Sequence, residues 1–296
     1  MYYSENTFIY LNGNIVKAEE ARIDLYSQTM HYGYGVFEGI RSYKTVSGAT
    51  KIFKEQEHFS RLENSANALN IPYAWTAEEL IKATYEVLEK NNLSNAYIRP
   101  LVYSPANMSF NLNKESFIAI ETWEMQPFLG EKLLRVMSSS FERPNPKAFK
   151  IEAKATGHYV NSILASQEAK AKGFDEALLY DMNGFVAEAP GANVFIEING
   201  VLYTPALGNI LPGITRATVI ELCEVLNIDV IETQITRGEI KSANSAFFCG
   251  TAAEVIGIAS IDDVLFPEAW SDSAGLKIQK AYKDLVTGKA ILKTFA

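Results

Sequence analysis

Three Asn-Gly dipeptides, Asn12-Gly13, Asn183-Gly184 and Asn199-Gly200, each stand between short apolar runs. Both residues tolerate positive φ, so the pair favours the tight turn of a β-hairpin. The spacing predicts hairpins over 8–16, 177–188 and 194–204. Helical periods lie between them. Phe59, Leu62, Ala66 and Leu69 recur at helical spacing from about Glu57. Thr76-Ala-Glu-Glu79 has the spacing of a capping box and starts a second helix that runs to about Asn91. Strands are expected over 96–104 and 117–123.

The pattern breaks after this block, and a chain of 296 residues is long enough for two cores. The expected organisation is an N-terminal α+β domain over 1–123, a linker over 124–132, and a C-terminal mixed-sheet, barrel-like α/β domain over 133–296. The second block reads as a strand at 133–139, the Pro-rich loop Arg143-Pro-Asn-Pro146, and an alternating segment reaching Lys154. Helices follow over 158–171, after Pro212, and over 273–287, the last closed by Gly288. A strand is expected at 228–235, and paired strands over 245–261 bent at Gly250-Thr-Ala-Ala253.

A net charge of -8 argues against nucleic acid or an anionic membrane surface as partner. The N-terminal residues lack the basic and apolar regions of a secretory signal, and no apolar run reaches membrane-spanning length. Cys223 and Cys249 have neither metal nor redox spacing and read as core residues of a cytoplasmic protein. His31, His58 and His158 are too scattered for a metal site and read as structural or surface residues. Gly33-x-Gly35-x-x-x-Gly39 misses the dinucleotide spacing, and there is no phosphate loop, His-Glu-x-x-His or Gly-x-Ser-x-Gly.

Several residues could carry chemistry. A period of two puts Tyr97, Arg99, Leu101 and Tyr103 on one strand face. An arginine flanked by tyrosines suits a carboxylate, and suits a structural ion pair about equally. Lys154 lies among small residues in Glu152-Ala-Lys-Ala-Thr-Gly157, with room beside it for a flat ring. A desolvated lysine there can form a Schiff base, although most lysines are simply solvated. Tyr159 could reach the same ring. Arg61, on an amphipathic helix, could face solvent or an anion. Glu188 closes a strand beside Pro190-Gly191, and Gly213-Ile-Thr215 opens a helix whose free amides suit a phosphate or mark a plain loop-to-helix junction. The amides of Gly250-Thr-Ala252 suit an anion or belong to an ordinary hairpin turn.

Taken in order, Tyr32-Gly-x-x-Val-Phe-Glu-Gly-Ile-Arg41, Ala96-Tyr-Ile-Arg-Pro100, Ala153-Lys-Ala155, Glu188-x-x-x-x-Asn-Val-Phe195, Leu211-Pro-Gly-Ile-Thr-Arg216 and Gly250-Thr-Ala-Ala-Glu254 span nearly the whole chain. The set closely resembles the branched-chain aminotransferases, pyridoxal 5'-phosphate enzymes of fold type IV. The resemblance implies transfer of amino groups between Leu, Ile or Val and 2-oxoglutarate. It implies that Lys154 bonds the cofactor aldehyde and shuttles the proton between Cα and C4′. Glu188 would pair with the pyridine nitrogen and Tyr159 with the ring hydroxyl, while Leu211 packs on the ring. Arg61 and the amides of Ile214 and Thr215 would hold the phosphate, with Thr251 nearby. Tyr97 and the Thr251 and Ala252 amides would take the substrate α-carboxylate, Arg99 and Tyr32 the distal carboxylate of glutamate, and Phe37 would line the apolar pocket. The resemblance also implies at least a homodimer, because the loop after Tyr103 reaches the partner's active site. The sequence departs from the family pattern at Pro190, at His158, and in Ser104-Pro-Ala-Asn-Met-Ser-Phe110. A D-amino-acid transaminase or an aminodeoxychorismate lyase would share the fold, but Tyr-Ile-Arg-Pro and Val-Phe-Glu-Gly-Ile-Arg read as branched-chain type. A non-catalytic binding protein would have no use for both Lys154 and Glu188.

Overall fold

Asn12 and Gly13 both take positive φ, 47° and 91°, and fold β1 (Phe8–Leu11) back on β2 (Asn14–Lys17). This hairpin starts the computed structural model, which describes residues 2–125 and 132–290. The contacts divide the chain into two units, Met1–Met125 with Ala153–His158 and Gln126–Glu152 with Tyr159–Ala296. Of the linker expected at 124–132, residues 126–131 lie outside the described residues.

The first unit continues with α1 (Gln28–Tyr32), β3 (Gly35–Phe37), β4 (Ile40–Lys44), β5 (Thr50–Ile52), α2 (Glu55–Ala68), α3 (Ala77–Lys90), β6 (Ala96–Tyr103) and β7 (Phe117–Glu124). Its seven strands form one sheet in the order β2-β1-β7-β6-β4-β5, with β3 also on β6. Both halves of the Thr76–Glu79 capping box are made at the start of α3. Burial follows the alternation of the strands. Val36, Ile40, Ile98, Val102, Ile118 and Ile120 face Phe59, Leu62 and Leu80 of α2 and α3 in one core. The other face of β6 and β7 carries Tyr97, Arg99, Glu121 and Trp123, with Arg99 opposite Glu121 and Tyr97 opposite Trp123.

Pro100 stands inside β6 at the point where the neighbouring edge is broken. Glu38 and Gly39 separate β3 from β4, and Glu38 donates its N–H to the Pro100 carbonyl. A strand residue turns its N and its C=O to the same side, so the missing donor of Pro100 falls at the gap.

The second unit holds β8 (Leu134–Glu142), α4 (Tyr159–Ala171), β9 (Glu176–Tyr180), β10 (Glu188–Ala189), β11 (Ala192–Ile198), β12 (Val201–Pro205), α5 (Ile214–Leu226), β13 (Val230–Thr233), α6 (Arg237–Ile240), β14 (Ser245–Gly250), β15 (Glu254–Ile261), β16 (Val264–Leu265) and α7 (Ala274–Val286). Its nine strands run β13-β12-β11-β14-β15-β8-β9, with β10 on β11 and β16 on β15. Three pairings are parallel, β8 with β9, β8 with β15, and β12 with β13, so the sheet is mixed. Asn199 and Gly200 turn β11 into β12 with φ of 52° and 81°.

Two local expectations change. Over 177–188 only Gly184 takes positive φ, because the Asp181 carboxylate binds the Asn183 and Phe185 amides and shapes a wider turn. The return arm then touches β9 through the single bridge Tyr180–Val186, and β10 pairs with β11 instead. The alternating segment before Lys154 is no strand. The Asn145 side chain and carbonyl bind the amides of Lys147, Ala148 and Phe149 and curl the chain into turns.

Candidate active site

In the first unit the segment Ala153–His158 is laced to β3. Phe37 donates its N–H to the Lys154 carbonyl at 3.0 Å, Val36 bridges Ala155, and Gly157 donates to the Gly33 carbonyl at 3.0 Å. From α2, Ser65 Oγ accepts the Lys154 N–H at 3.0 Å. A Cβ on Gly33 would fall 2.7 Å from Gly157 Cα, and Gly33 also takes φ +63°, so close backbone approach demands glycine there. The lysine is thereby positioned through its backbone, and Nζ lies 5.2 Å from the centre of the Phe37 ring.

The Phe37 ring also meets Arg99, whose guanidinium carbon is 4.5 Å from the ring centre. Tyr97 and Trp123 complete an aromatic cage around that guanidinium at 5.3 and 5.8 Å. Arg99 Nη2 donates to the Tyr97 hydroxyl at 3.3 Å, while its Nε is buried without a hydrogen-bond partner among the described residues. Ring faces partly offset such a charge, which lets a guanidinium stay beside apolar surface. Any side chain at position 39 would strike this cage, since a Cβ on Gly39 would stand 2.1 Å from the Tyr97 hydroxyl.

Arg61 does not face solvent. It grips the fully buried Glu38 with two hydrogen bonds, Nε to Oε1 at 2.7 Å and Nη2 to Oε2 at 2.8 Å. His58, one turn earlier on the same face of α2, places Nδ1 2.7 Å from Glu38 Oε2. Burial opposes the Glu38 charge, but the Arg61 charge and the hydrogen bonds from Arg61 and His58 overcome it and hold the carboxyl well below its usual range. Burial also pushes His58 down, more than Glu38 pulls it up. The cluster is therefore carboxylate, guanidinium and neutral imidazole, with Nδ1–H donating to the carboxylate.

Tyr32 ends α1 in different company. Its hydroxyl donates to the Met108 carbonyl at 3.3 Å and its ring packs 5.6 Å from Phe110. Tyr32, Met108, Phe110 and Leu112 are exposed, Phe110 by 92%. The loop beneath is tied down: Ser27 Oγ donates to the Ser104 carbonyl, and Gln28 Nε2 to the Ser109 carbonyl, each at 2.6 Å.

In the second unit Glu188 is buried at 5% exposure. Oε1 accepts from Arg143 Nη2 at 2.9 Å and from the Leu211 N–H at 3.1 Å, and Oε2 from Asn193 Nδ2 at 3.0 Å. Pro190-Gly191 forms the two-residue turn that sets Glu188 opposite Asn193, so Pro190 leaves this hairpin intact. Asn193 Nδ2 also donates to the Leu211 carbonyl at 3.1 Å, which joins the acid to the lead-in of α5. A Cβ on Gly213 would lie 2.0 Å from Asn193 Oδ1, so any side chain at this N-cap would displace the amide that holds Glu188. Ile214 and Thr215 follow as the first residues of α5, whose opening amides have no intrahelical acceptor. Thr251 and Ala252 sit in the turn between β14 and β15. Tyr159 is the first residue of α4, directly after the short 3-10 turn Thr156–His158.

The first unit thus gathers Lys154, Phe37, Tyr97 and Arg99, and beside the lysine the Glu38–His58–Arg61 cluster, since the Lys154 charge acts on His58. The second gathers Glu188, Leu211, Ile214 and Thr215. Glu38, Arg143 and Asn193 are additions to the sequence reading. Glu38 left a signal, because a lone carboxylate in Val36-Phe-Glu-Gly-Ile40 must be paired once buried. Asn193 did too, as the residue facing Glu188 across a two-residue turn. Arg143 left none, since a loop arginine gives no hint of a distant carboxylate.

Residues 35–261 match the family described as amino-transferase class IV. The chain is 40% identical over 287 residues to the branched-chain-amino-acid aminotransferase of Pseudomonas aeruginosa, covering 95% of this chain and 93% of that protein. It is similar to the crystal structure of the Escherichia coli branched-chain amino acid aminotransferase, with a TM-score of 0.94 and 35% identity over 97% of each chain. The branched-chain amino acid aminotransferase from Thermobaculum terrenum, in its PLP-form, has a TM-score of 0.90 and 34% identity, covering 97% of this chain and 96% of that one.

Proposed function

The chain belongs to the class IV aminotransferases, and from that premise we propose that it transfers the amino group of L-leucine, L-isoleucine and L-valine to 2-oxoglutarate, with pyridoxal 5'-phosphate as cofactor. One observation carries the reading. The Phe37 ring adjoins both Lys154 Nζ, 5.2 Å from its centre, and the caged Arg99 guanidinium, 4.5 Å from it. A nucleophile, an apolar wall and a carboxylate anchor therefore adjoin one aromatic side chain. Such a pocket takes a branched side chain by burial and glutamate by ion pairing.

The donor set suits the cofactor. Glu188, fixed by Arg143, Asn193 and the Leu211 amide, offers a carboxylate to a pyridine N–H. The α5 amides of Ile214 and Thr215, which open the helix after Gly213, offer donors to a phosphate, as does Arg61. Leu211 supplies the apolar contact, and Tyr159 and Thr251 supply hydroxyls. When bound, the cofactor supplies an electron sink for the substrate Cα. Lys154 would hold the cofactor through its aldehyde group, and its Nζ would be the base that takes the proton from the substrate Cα and the acid that gives it back. Tyr97 in the first unit, and the Thr251 and Ala252 amides in the second, are the donors proposed for the α-carboxylate, and Arg99 the one proposed for the distal carboxylate of glutamate. Glu38 and neutral His58 keep the Arg61 guanidinium in one orientation.

We further propose a homodimer in which Tyr32, standing with exposed Met108, Phe110 and Leu112, serves the pocket of a second copy. An apolar patch of this kind on one loop marks an interaction surface. The two free, buried thiols, Cys223 and Cys249, agree with a reducing, cytoplasmic setting.

Arg99→Ala tests the pocket. Loss of a charge-assisted contact predicts a fall of about 10- to 100-fold in kcat/KM for glutamate, against a few-fold for leucine. Equal losses for the two substrates, in steady-state assays of the purified holoenzyme, would remove Arg99 from the distal-carboxylate role.

A further inference from the structure

Arg99 has a resident carboxylate directly across the sheet. The register of β6 and β7 pairs Arg99 with Glu121, and directly opposite residues project from the same face. That face is the one with the aromatic cage, because the rings of the flanking pair Tyr97 and Trp123 also meet on it, 4.9 Å apart and tilted by 32°. Burial pushes the Glu121 carboxyl up from its usual range and the Arg99 charge pulls it back in part, yet no direct ion pair joins them among the described residues. Arg99 is held instead by three rings and by one hydrogen bond to Tyr97. A guanidinium has five N–H donors, so its position is fixed while capacity for an incoming carboxylate is kept.

We propose that Glu121 is a specificity-determining residue that sets the balance between acidic and apolar substrates, by competing with the substrate's distal carboxylate for Arg99. The proposal rests on the reading of Arg99 as the distal-carboxylate anchor. When an apolar side chain fills the pocket, the Arg99 charge has no ligand carboxylate, and the field of Glu121 offsets it. When glutamate or 2-oxoglutarate enters, its distal carboxylate meets the like charge of Glu121 and shares Arg99 with it. The same residue thus favours branched-chain ligands and disfavours dicarboxylates. It also ensures that the anchor does not trap the acidic product. At cross-strand separation, with an effective dielectric between those of surface sites and bulk water, the effect is roughly three- to tenfold in relative affinity.

The test compares the parent holoenzyme with Glu121→Gln, Glu121→Asp and Arg99→Ala. Glu121→Gln is expected to raise the ratio of kcat/KM for glutamate to that for leucine by roughly three- to tenfold, through KM rather than kcat. Glu121→Asp keeps the charge and is expected to return most of the way to the parent ratio. The dissociation constants of two unreactive acids, glutarate and 4-methylpentanoate, measured by calorimetry, should shift in ratio by the same factor. Glu121→Ala serves as a second neutral variant should the glutamine protein fold poorly. An unchanged ratio in the neutral variants, with Arg99→Ala still selective against glutamate, overturns the role of Glu121 alone. Equal losses for both substrates in Arg99→Ala overturn the reading of Arg99 itself. A fall in kcat for both substrates, with no change in either ratio, makes Glu121 a structural strand residue and also overturns the proposal.

Discussion

Lys154→Ala is expected to reduce transamination by on the order of 10⁴-fold or more, while the unfolding midpoint of the protein without cofactor stays near that of the parent. The two halves of this expectation have different physical sources. The activity depends on Nζ, which adjoins the Phe37 ring and is the group assigned to move the Cα proton. The fold depends on the backbone of the same residue. Its N–H donates to Ser65 Oγ and its carbonyl accepts from Phe37, and alanine keeps both bonds. Its positive charge also acts on His58, which it pushes toward the neutral form. Rate assays with L-leucine and 2-oxoglutarate, run beside thermal unfolding, separate the two. Activity above about a hundredth of the parent would mean that another base moves the proton.

Glu38→Ala is expected to have the largest effect on stability, a loss of about 3–5 kcal/mol in denaturant unfolding, because removing one partner leaves a charge poorly compensated inside the protein. Glu38 is fully buried, and the Arg61 side chain is only 12% exposed. The substitution strips the guanidinium of two hydrogen bonds, at 2.7 and 2.8 Å, and the His58 ring of its Nδ1 acceptor. Glu38→Gln keeps the shape and an acceptor oxygen, and is expected to lose less. Because Arg61 is also the proposed phosphate ligand, cofactor retention should weaken in parallel. A loss below about 1 kcal/mol would mean that water or a rearranged partner compensates Arg61.

Much of the fold was legible because its signals are local. The Asn-Gly turns at 12–13 and 199–200, the capping box at Thr76, and the alternation through β6 and β7 each depend on a few neighbouring residues. Departures came where a side chain imposed its own hydrogen bonds, as Asp181 and Asn145 do on the turns after them. For the site, sequence order recovered the α5 lead-in and the Tyr97–Arg99 face, but it folded the Glu188 strand back on β9, where the structure pairs it with β11. It could not recover long-range pairing. Arg143 reaches Glu188 from 45 positions away, and Arg61 reaches Glu38 across 23, with no periodicity to announce either. Glu121 escaped for a related reason, since its meaning lies in the register with Arg99 rather than in its own neighbours.

Amino-donor choice is the central claim, and one assay addresses it most directly. The purified holoenzyme, given 2-oxoglutarate, is offered L-leucine and D-alanine in parallel, with glutamate formation followed by a coupled reaction. Turnover of L-leucine with D-alanine at background is the predicted result. Turnover of D-alanine alone would contradict it.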